Sequence, residues 1–160
     1  MFNSYIQFVK NYYLLVCTYF LTLLVSCKHK INPKVENIVN NISETSYVLR
    51  DFPEYSYPCD SLIKTSSTED LIYLTDNKNV VVRYYAFSGL RKRNYPKIKE
   101  IYFNHENDFS IINTSNGACL RGSTSVNRLM LESLDPKYFN SKYGFTKNQF
   151  EKIRKTLDEK

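Results

Sequence analysis

The stretch VVVRYYAFSGLRKR, residues 80–93, is patterned for a helix that other elements must cover. Val82, Ala86 and Leu90 recur every four residues, with Tyr85 and Gly89 alongside, which is the period of a helix face. A one-sided apolar face has to pack against something. The same pattern runs along the chain. Asn32 and Pro33 suit the cap and first position of a helix over 33–46, with Val35, Ile38, Val39 and Ile42 on one side. Ser66 and Glu69 have capping-box spacing ahead of Leu71, Ile72 and Leu74, predicting a helix over 67–75. Asp76-Asn77-Lys78-Asn79 reads as a turn. Pro96 opens a helix to residue 104 with Ile98, Ile101 and Tyr102 on its face. Val126, Leu129, Met130 and Leu134 mark another over 124–134, stopped by Asp135-Pro136. Thr146 with Gln149 forms a second capping box, and Phe145 with Phe150 a hydrophobic staple. They open a helix over 147–158 whose face is Phe150, Ile153 and Leu157.

Two stretches break the helical period. Residues 51–58, DFPEYSYP, hold two prolines among aromatics and read as extended chain laid over the core. In residues 108–122, SIIN and ACLR flank TSNG, as a short hairpin or an irregular loop. A chain of 160 residues is enough for one domain with a real core, and 15% aromatic residues argue against wholesale disorder. The expected fold is therefore mainly α: one compact, monomeric helical domain over 34–160, with at most one short β-hairpin.

Within that domain LIYLTDNKNVVVRYYAFSGL, residues 71–90, resembles a HEAT-type repeat. Such repeats pair two antiparallel helices, with Asp in the turn, Val-Arg opening the second helix, and Ala and Leu following at helical spacing. Asp76, Val82, Arg83, Ala86 and Leu90 occupy those positions here. The proline often found in the turn is missing, and residues 106–160 carry no second clear copy. The resemblance implies a non-catalytic scaffold offering helix faces to a protein partner. It also implies a structural part for Arg83, paired with Asp76 or bonded to a carbonyl of the turn.

The first 27 residues carry a different message. Tyr13–Ser26 contains no charge and follows Lys10. It has the length of a signal-peptide apolar core and falls short of the ~20 residues that span a bilayer. An N-terminal core helix or short membrane anchor is the alternative. Leu24-Val25-Ser26-Cys27 resembles the lipobox of bacterial lipoproteins. That resemblance implies removal of residues 1–26, a diacylglyceryl group on the Cys27 thiol, and a lipidated tether over 27–33. It also implies three acyl chains, and several chains anchor stably where one binds only marginally. Lys28 stands where an Asp would suggest inner-membrane retention, which points to the outer membrane of a bacterial envelope. In a eukaryotic-type secreted protein Cys27 would stay unmodified.

Candidate chemistry is sparse. His105 lies in NHEND, close to Glu106 and Asp108, but no second histidine completes an HExxH pattern. A small envelope hydrolase using Cys119 as nucleophile, or a metal at His105, is the competing function; a helix C-terminal residue is the plainer part for His105. No cofactor is implied. After export Cys59 and Cys119 can form a disulfide, worth about 4 kcal/mol in the chain-entropy model, or stay as two buried thiols. The basic run RKRNYPKIK, residues 91–99, suits anionic headgroups or a solvated helix end. An envelope address argues against nucleic acid. The leading expectation is a membrane-anchored envelope lipoprotein with a non-catalytic, HEAT-like domain for protein interaction, its partner unidentified.

Overall fold

The computed structural model describes residues 29–49, 57–115 and 121–159. A compact unit extends over Ile31–Lys160, and its described residues form seven helices and a small three-stranded sheet. The first helix, α1 (Pro33–Ser43), opens on Asn32, whose side chain accepts the Lys34 N–H at 2.9 Å. It buries Val35, Val39 and Ile42. It ends at Ser43, short of residue 46, and at that end the Ser43 and Thr45 hydroxyls donate to the Val39 and Ile42 carbonyls. A two-residue strand, β1 (Val48–Leu49), follows.

The extended reading of residues 51–58 is corrected at its end: Tyr57–Thr65 is a helix, α2. Residues 51–56 lie outside the described residues. Pro58 falls in the first turn of α2, where a missing N–H costs nothing, and Cys59, Leu62 and Ile63 form the buried face. Helix α3 (Thr68–Leu74) is capped one residue later than expected. Ser67 Oγ accepts the Asp70 N–H and Asp70 Oδ2 accepts the Ser67 N–H, both at 2.9 Å. Asp70 thus fills the reciprocal place read for Glu69.

Helix α4 (Val80–Lys92) is the centre of the fold. Asn79 caps it by accepting the Val81 and Val82 N–H groups, and its Nδ2 donates to the Ser43 carbonyl at 3.2 Å, tying α1 to α4. Every residue from Val81 to Leu90 except Arg83 is buried, so α4 is covered on all sides and not on the single face its period suggests. It packs on α1, α2, α3 and three later elements. Those are α5 (Ile98–Asn104), β2 (Ile111–Ser115) and α6 (Val126–Ser133). Asn94, with φ 51°, makes the left-handed exit from α4 that Asn tolerates. A turn follows, so α5 starts at Ile98 and not at Pro96.

A hairpin does form. β2 pairs antiparallel with β3 (Arg121–Ser125), placing Ile112 opposite Thr124 and Thr114 opposite Gly122. The second strand begins where ACLR ends, and residues 116–120 lie outside the described residues. β1 joins the other edge of β2 in parallel, giving the order β1-β2-β3. The last helix, α7 (Lys147–Asp158), has the expected bounds and the expected Thr146–Gln149 capping box. Among the described residues no helix is long and apolar enough to cross a membrane.

Candidate functional site: an apolar cleft between α5 and α7

Helices α5 and α7 both rest on α6. Between them lies a cleft of about 500 Å³, within the range in which proteins build small-molecule sites. Three aromatic rings form its base. Tyr102 is wholly buried, Phe145 is 6% exposed and Phe103 is 47% exposed. They meet edge to face, with centroids 5.5 Å apart for Tyr102–Phe103, 5.6 Å for Tyr102–Phe145 and 5.7 Å for Phe103–Phe145. The sequence explains the arrangement. Ile98, Ile101 and Tyr102 turn inward to the core, so the adjacent Phe103 is left on the open side of α5. On α7, Ile153 and Leu157 supply the facing wall one turn apart.

The polar groups at the cleft divide into satisfied and unsatisfied. Gln149 Oε1 accepts the Thr146 N–H in the capping box, and the Thr156 hydroxyl donates to the Lys152 carbonyl. Glu100 pairs with Lys97 at 3.7 Å. Lys99 and Lys152 also line the cleft, and among the described residues neither ammonium has an ion-pair partner. The Tyr102 hydroxyl is buried with no hydrogen-bond partner among the described residues. Burial pushes its pKa up to about 12, with the nearby Glu106 carboxylate adding to the rise.

Of the repeat-like residues, Val82, Ala86 and Leu90 are fully buried in α4. Arg83 bonds the turn as expected, its Nη1 donating to the carbonyls of Asn77 at 2.9 Å and Lys78 at 3.3 Å. Its acidic partner is Asp108 and not Asp76: Nε lies 2.8 Å from Oδ2, and Nη2 donates to Oδ1 at 3.1 Å. The Asp76 side chain is 81% exposed and lies 3.7 Å from His105 Nε2. One guanidinium therefore fastens the α3–α4 turn to the loop between α5 and β2. Asn127 fastens the same loop from the other side, donating through Nδ2 to the Glu106 carbonyl at 2.7 Å.

These contacts bear on the other candidates. Asp108 is held by Arg83 and His105 caps the end of α5, and among the described residues no three His, Cys, Asp or Glu side chains converge as a ligand set. Cys59 is fully buried, its Sγ 4.0 Å from the Tyr85 carbonyl. Cys27 and Cys119 lie outside the described residues, so neither lipidation nor the disulfide is addressed by the fold. The basic run is a set of braces. Arg91 donates to the Ser133 carbonyl at 3.4 Å and sits over the Phe139 ring, while Lys92 lies 3.7 Å from Asp60. Arg93 donates to the carbonyls of Ile63 and Ser66 and to the Thr68 hydroxyl, joining α4 to the α2–α3 corner. Lys99 alone of the run faces the cleft.

The cleft was not anticipated from the sequence. The available sign was Phe103, an aromatic residue standing off its helix's inward face beside two lysine-bearing turns. Comparison with protein-family models, with curated proteins and with solved structures finds no match. By its fold the chain is a mainly helical protein with a three-stranded mixed sheet.

Proposed function

We propose that this chain is a bacterial envelope lipoprotein, anchored through Cys27, whose helical unit is a non-catalytic binding module. The observation that carries the binding half is the α5/α7 cleft. Its base and wall are apolar, and among the described residues no histidine or cysteine lines it. Such a lining offers contact area without a nucleophile–base pair. The anchoring half rests on Leu24-Val25-Ser26-Cys27 at the end of an uncharged apolar run. The HEAT-like reading of α3 and α4 belongs here too. Val82, Ala86 and Leu90 turn inward and Arg83 braces the turn, as in a repeat hairpin. It assigns the exposed face of α3, where Tyr73 is 48% exposed, to a protein partner.

Two measurements test the proposal. Cys27→Ala should abolish incorporation of radiolabelled palmitate; equal labelling of both proteins would remove the lipoprotein reading. A photo-crosslinking residue at Phe103 of the membrane-anchored chain should gain mass from a bound molecule on irradiation. No adduct at Phe103 would remove the cleft from the proposal.

A further inference from the structure

We infer that the loop joining α6 to α7 docks on the anionic surface of the membrane that holds the chain, with Lys137, Lys142 and Lys147 against lipid phosphates and the Tyr138 and Tyr143 rings among the headgroups. The inference rests on the anchored reading above and adds a second contact with the same membrane.

The tether brings the unit within reach. Pro33, where α1 begins, stands six residues after Cys27. Fully extended, those residues reach roughly 20 Å. A lipid on Cys27 therefore keeps the helical unit beside the bilayer, and the charges it presents there decide how it lies. The basic run over 91–99 is largely spent inside the fold, since Arg91 and Arg93 donate to carbonyls and Lys92 lies near Asp60. The α6–α7 loop differs. Residues 135–149 carry three cations, Lys137, Lys142 and Lys147, and one acid, Asp135. All three lysines are exposed, and among the described residues none has an ion-pair partner. Asp135 is half-buried, and its Oδ1 accepts the Lys137 N–H at 2.8 Å. The loop thus carries an excess of positive charge, and an anionic headgroup layer supplies the counter-charge.

Local structure explains why these residues stand outward. The pair Lys-Tyr occurs twice, at 137–138 and 142–143, and a phenylalanine follows each within two residues. Phe139 and Phe145 are buried. The Tyr138 and Phe139 N–H groups donate to the Asp135 carbonyl, and the Gly144 N–H donates to the Ser141 carbonyl, so the loop is a succession of tight turns. A Cβ at Gly144 would stand 3.0 Å from Phe139 Cδ1, which puts the second turn against the first phenylalanine. The phenylalanines pin the loop to the core and leave Tyr138 exposed and Tyr143 half-buried. In each pair the ammonium lies 4.9 Å from the centroid of the neighbouring ring. A phenol ring with an ammonium beside it suits the headgroup layer, where the ring meets the apolar boundary and the charge meets phosphate. An acidic protein would match the charge but offer no such boundary to Tyr138.

The chain has no tryptophan, so Tyr138→Trp makes residue 138 its one indole. The lipidated chain carrying that substitution is reconstituted in vesicles of phosphatidylcholine, alone or with about one-third phosphatidylglycerol. Each vesicle also contains lipid brominated near the headgroup end of its acyl chains. Bromine quenching should be at least threefold greater in the anionic vesicles, with emission shifted to the blue, and high salt should reverse both. Adding Lys137→Glu/Lys142→Glu/Lys147→Glu should bring quenching down to the level seen in phosphatidylcholine. Equal quenching in the two vesicles would overturn the anionic surface. No quenching in either, on a chain that carries palmitate, would overturn the docking and leave the anchor standing. A chain without palmitate would remove the anchor and, with it, the reach argument, overturning both. Emission indifferent to lipid but shifted by an added oligonucleotide would replace the membrane with a nucleic acid. Should the triple variant fail to fold, the comparison of vesicles on the Tyr138→Trp chain decides alone.

Discussion

Substituting Arg83 by Ala would strip three acceptors at once: the Asp108 carboxylate and the carbonyls of Asn77 and Lys78. The Arg83 and Asp108 side chains are 11% and 14% exposed, so the loss leaves a largely buried charge without its partner. A cost of about 3 kcal/mol is expected, read as a lower thermal midpoint. Arg83→Lys should recover only part of it, because one ammonium cannot span a carboxylate and two carbonyls. An Arg83→Ala protein melting with the unaltered one would contradict the brace. That Arg83 needed a partner was legible from its place after the turn. The partner was not, since Asp108 arrives through a loop that no local pattern positions. Tyr102 poses the opposite case, a buried hydroxyl with no partner among the described residues. Its pKa is pushed up to about 12, whereas an unfolded tyrosine ionises near 10. Between those pH values the unfolded chain releases a proton that the native one keeps, so stability falls as pH rises through this window. Tyr102→Phe should lessen that fall and leave stability at pH 7 within about 1 kcal/mol of the original. Denaturant unfolding at pH 7 and pH 11 on both proteins checks it, and a larger loss at pH 7 would reveal a hydrogen bond to the hydroxyl.

Among the elements, the α3–α4 pair shows how packing overrides propensity. Gly89 costs helix stability, roughly 1 kcal/mol against Ala. A Cβ at that position would stand 3.0 Å from Ile63 Cγ1 and 3.1 Å from Leu71 Cδ1. Overpacking of this kind costs about 1–3 kcal/mol, so the clash should outweigh the gain. Gly89→Ala is expected to unfold at lower denaturant concentration, and a stabilised Gly89→Ala protein would mean that α2 and α3 give way freely. The small residues at 86 and 89 announced this close approach in the sequence. The elements that stayed hidden have physical reasons. Cys59, Leu62 and Ile63 carry a helical period, but the prolines before them mask it, because Pro58 is compatible with both extended chain and a first helical turn. Val48–Leu49 is too short to show alternation at all, and only its place beside β2 makes it a strand. Helix α7, with cap, staple and face all agreeing, needed no tertiary context.

Across the whole helical unit, the core is organised around one helix enclosed by its neighbours. Sequence periodicity reported which α4 residues share a face, yet it could not report that Tyr84, Phe87 and Ser88, on the remaining sides, are buried as well. That follows from how many elements gather around α4, a property of the assembled unit. The cleft was illegible for the same reason. Its two walls come from α5 and α7, which are far apart in sequence and both pack on α6.

The parallel pairing of Val48 with Thr114 and Leu49 with Ser115 sets an order of events in time. Bringing those residues together closes a long stretch of chain, whereas α3 and α4 meet across one short turn. The α3–α4 hairpin should therefore be formed at the folding barrier and β1 should dock after it. Val48→Ala, removing a fully buried side chain at a cost of about 2 kcal/mol, should speed unfolding and leave the folding rate nearly unchanged. Leu71→Ala should slow folding instead, and stopped-flow kinetics separates the two. In a chain built from its N-terminus, Val48 and Leu49 leave the ribosome long before their partner strand exists. Two residues are too few to recruit a stranger's strand during that wait, so brevity itself keeps the nascent chain out of trouble.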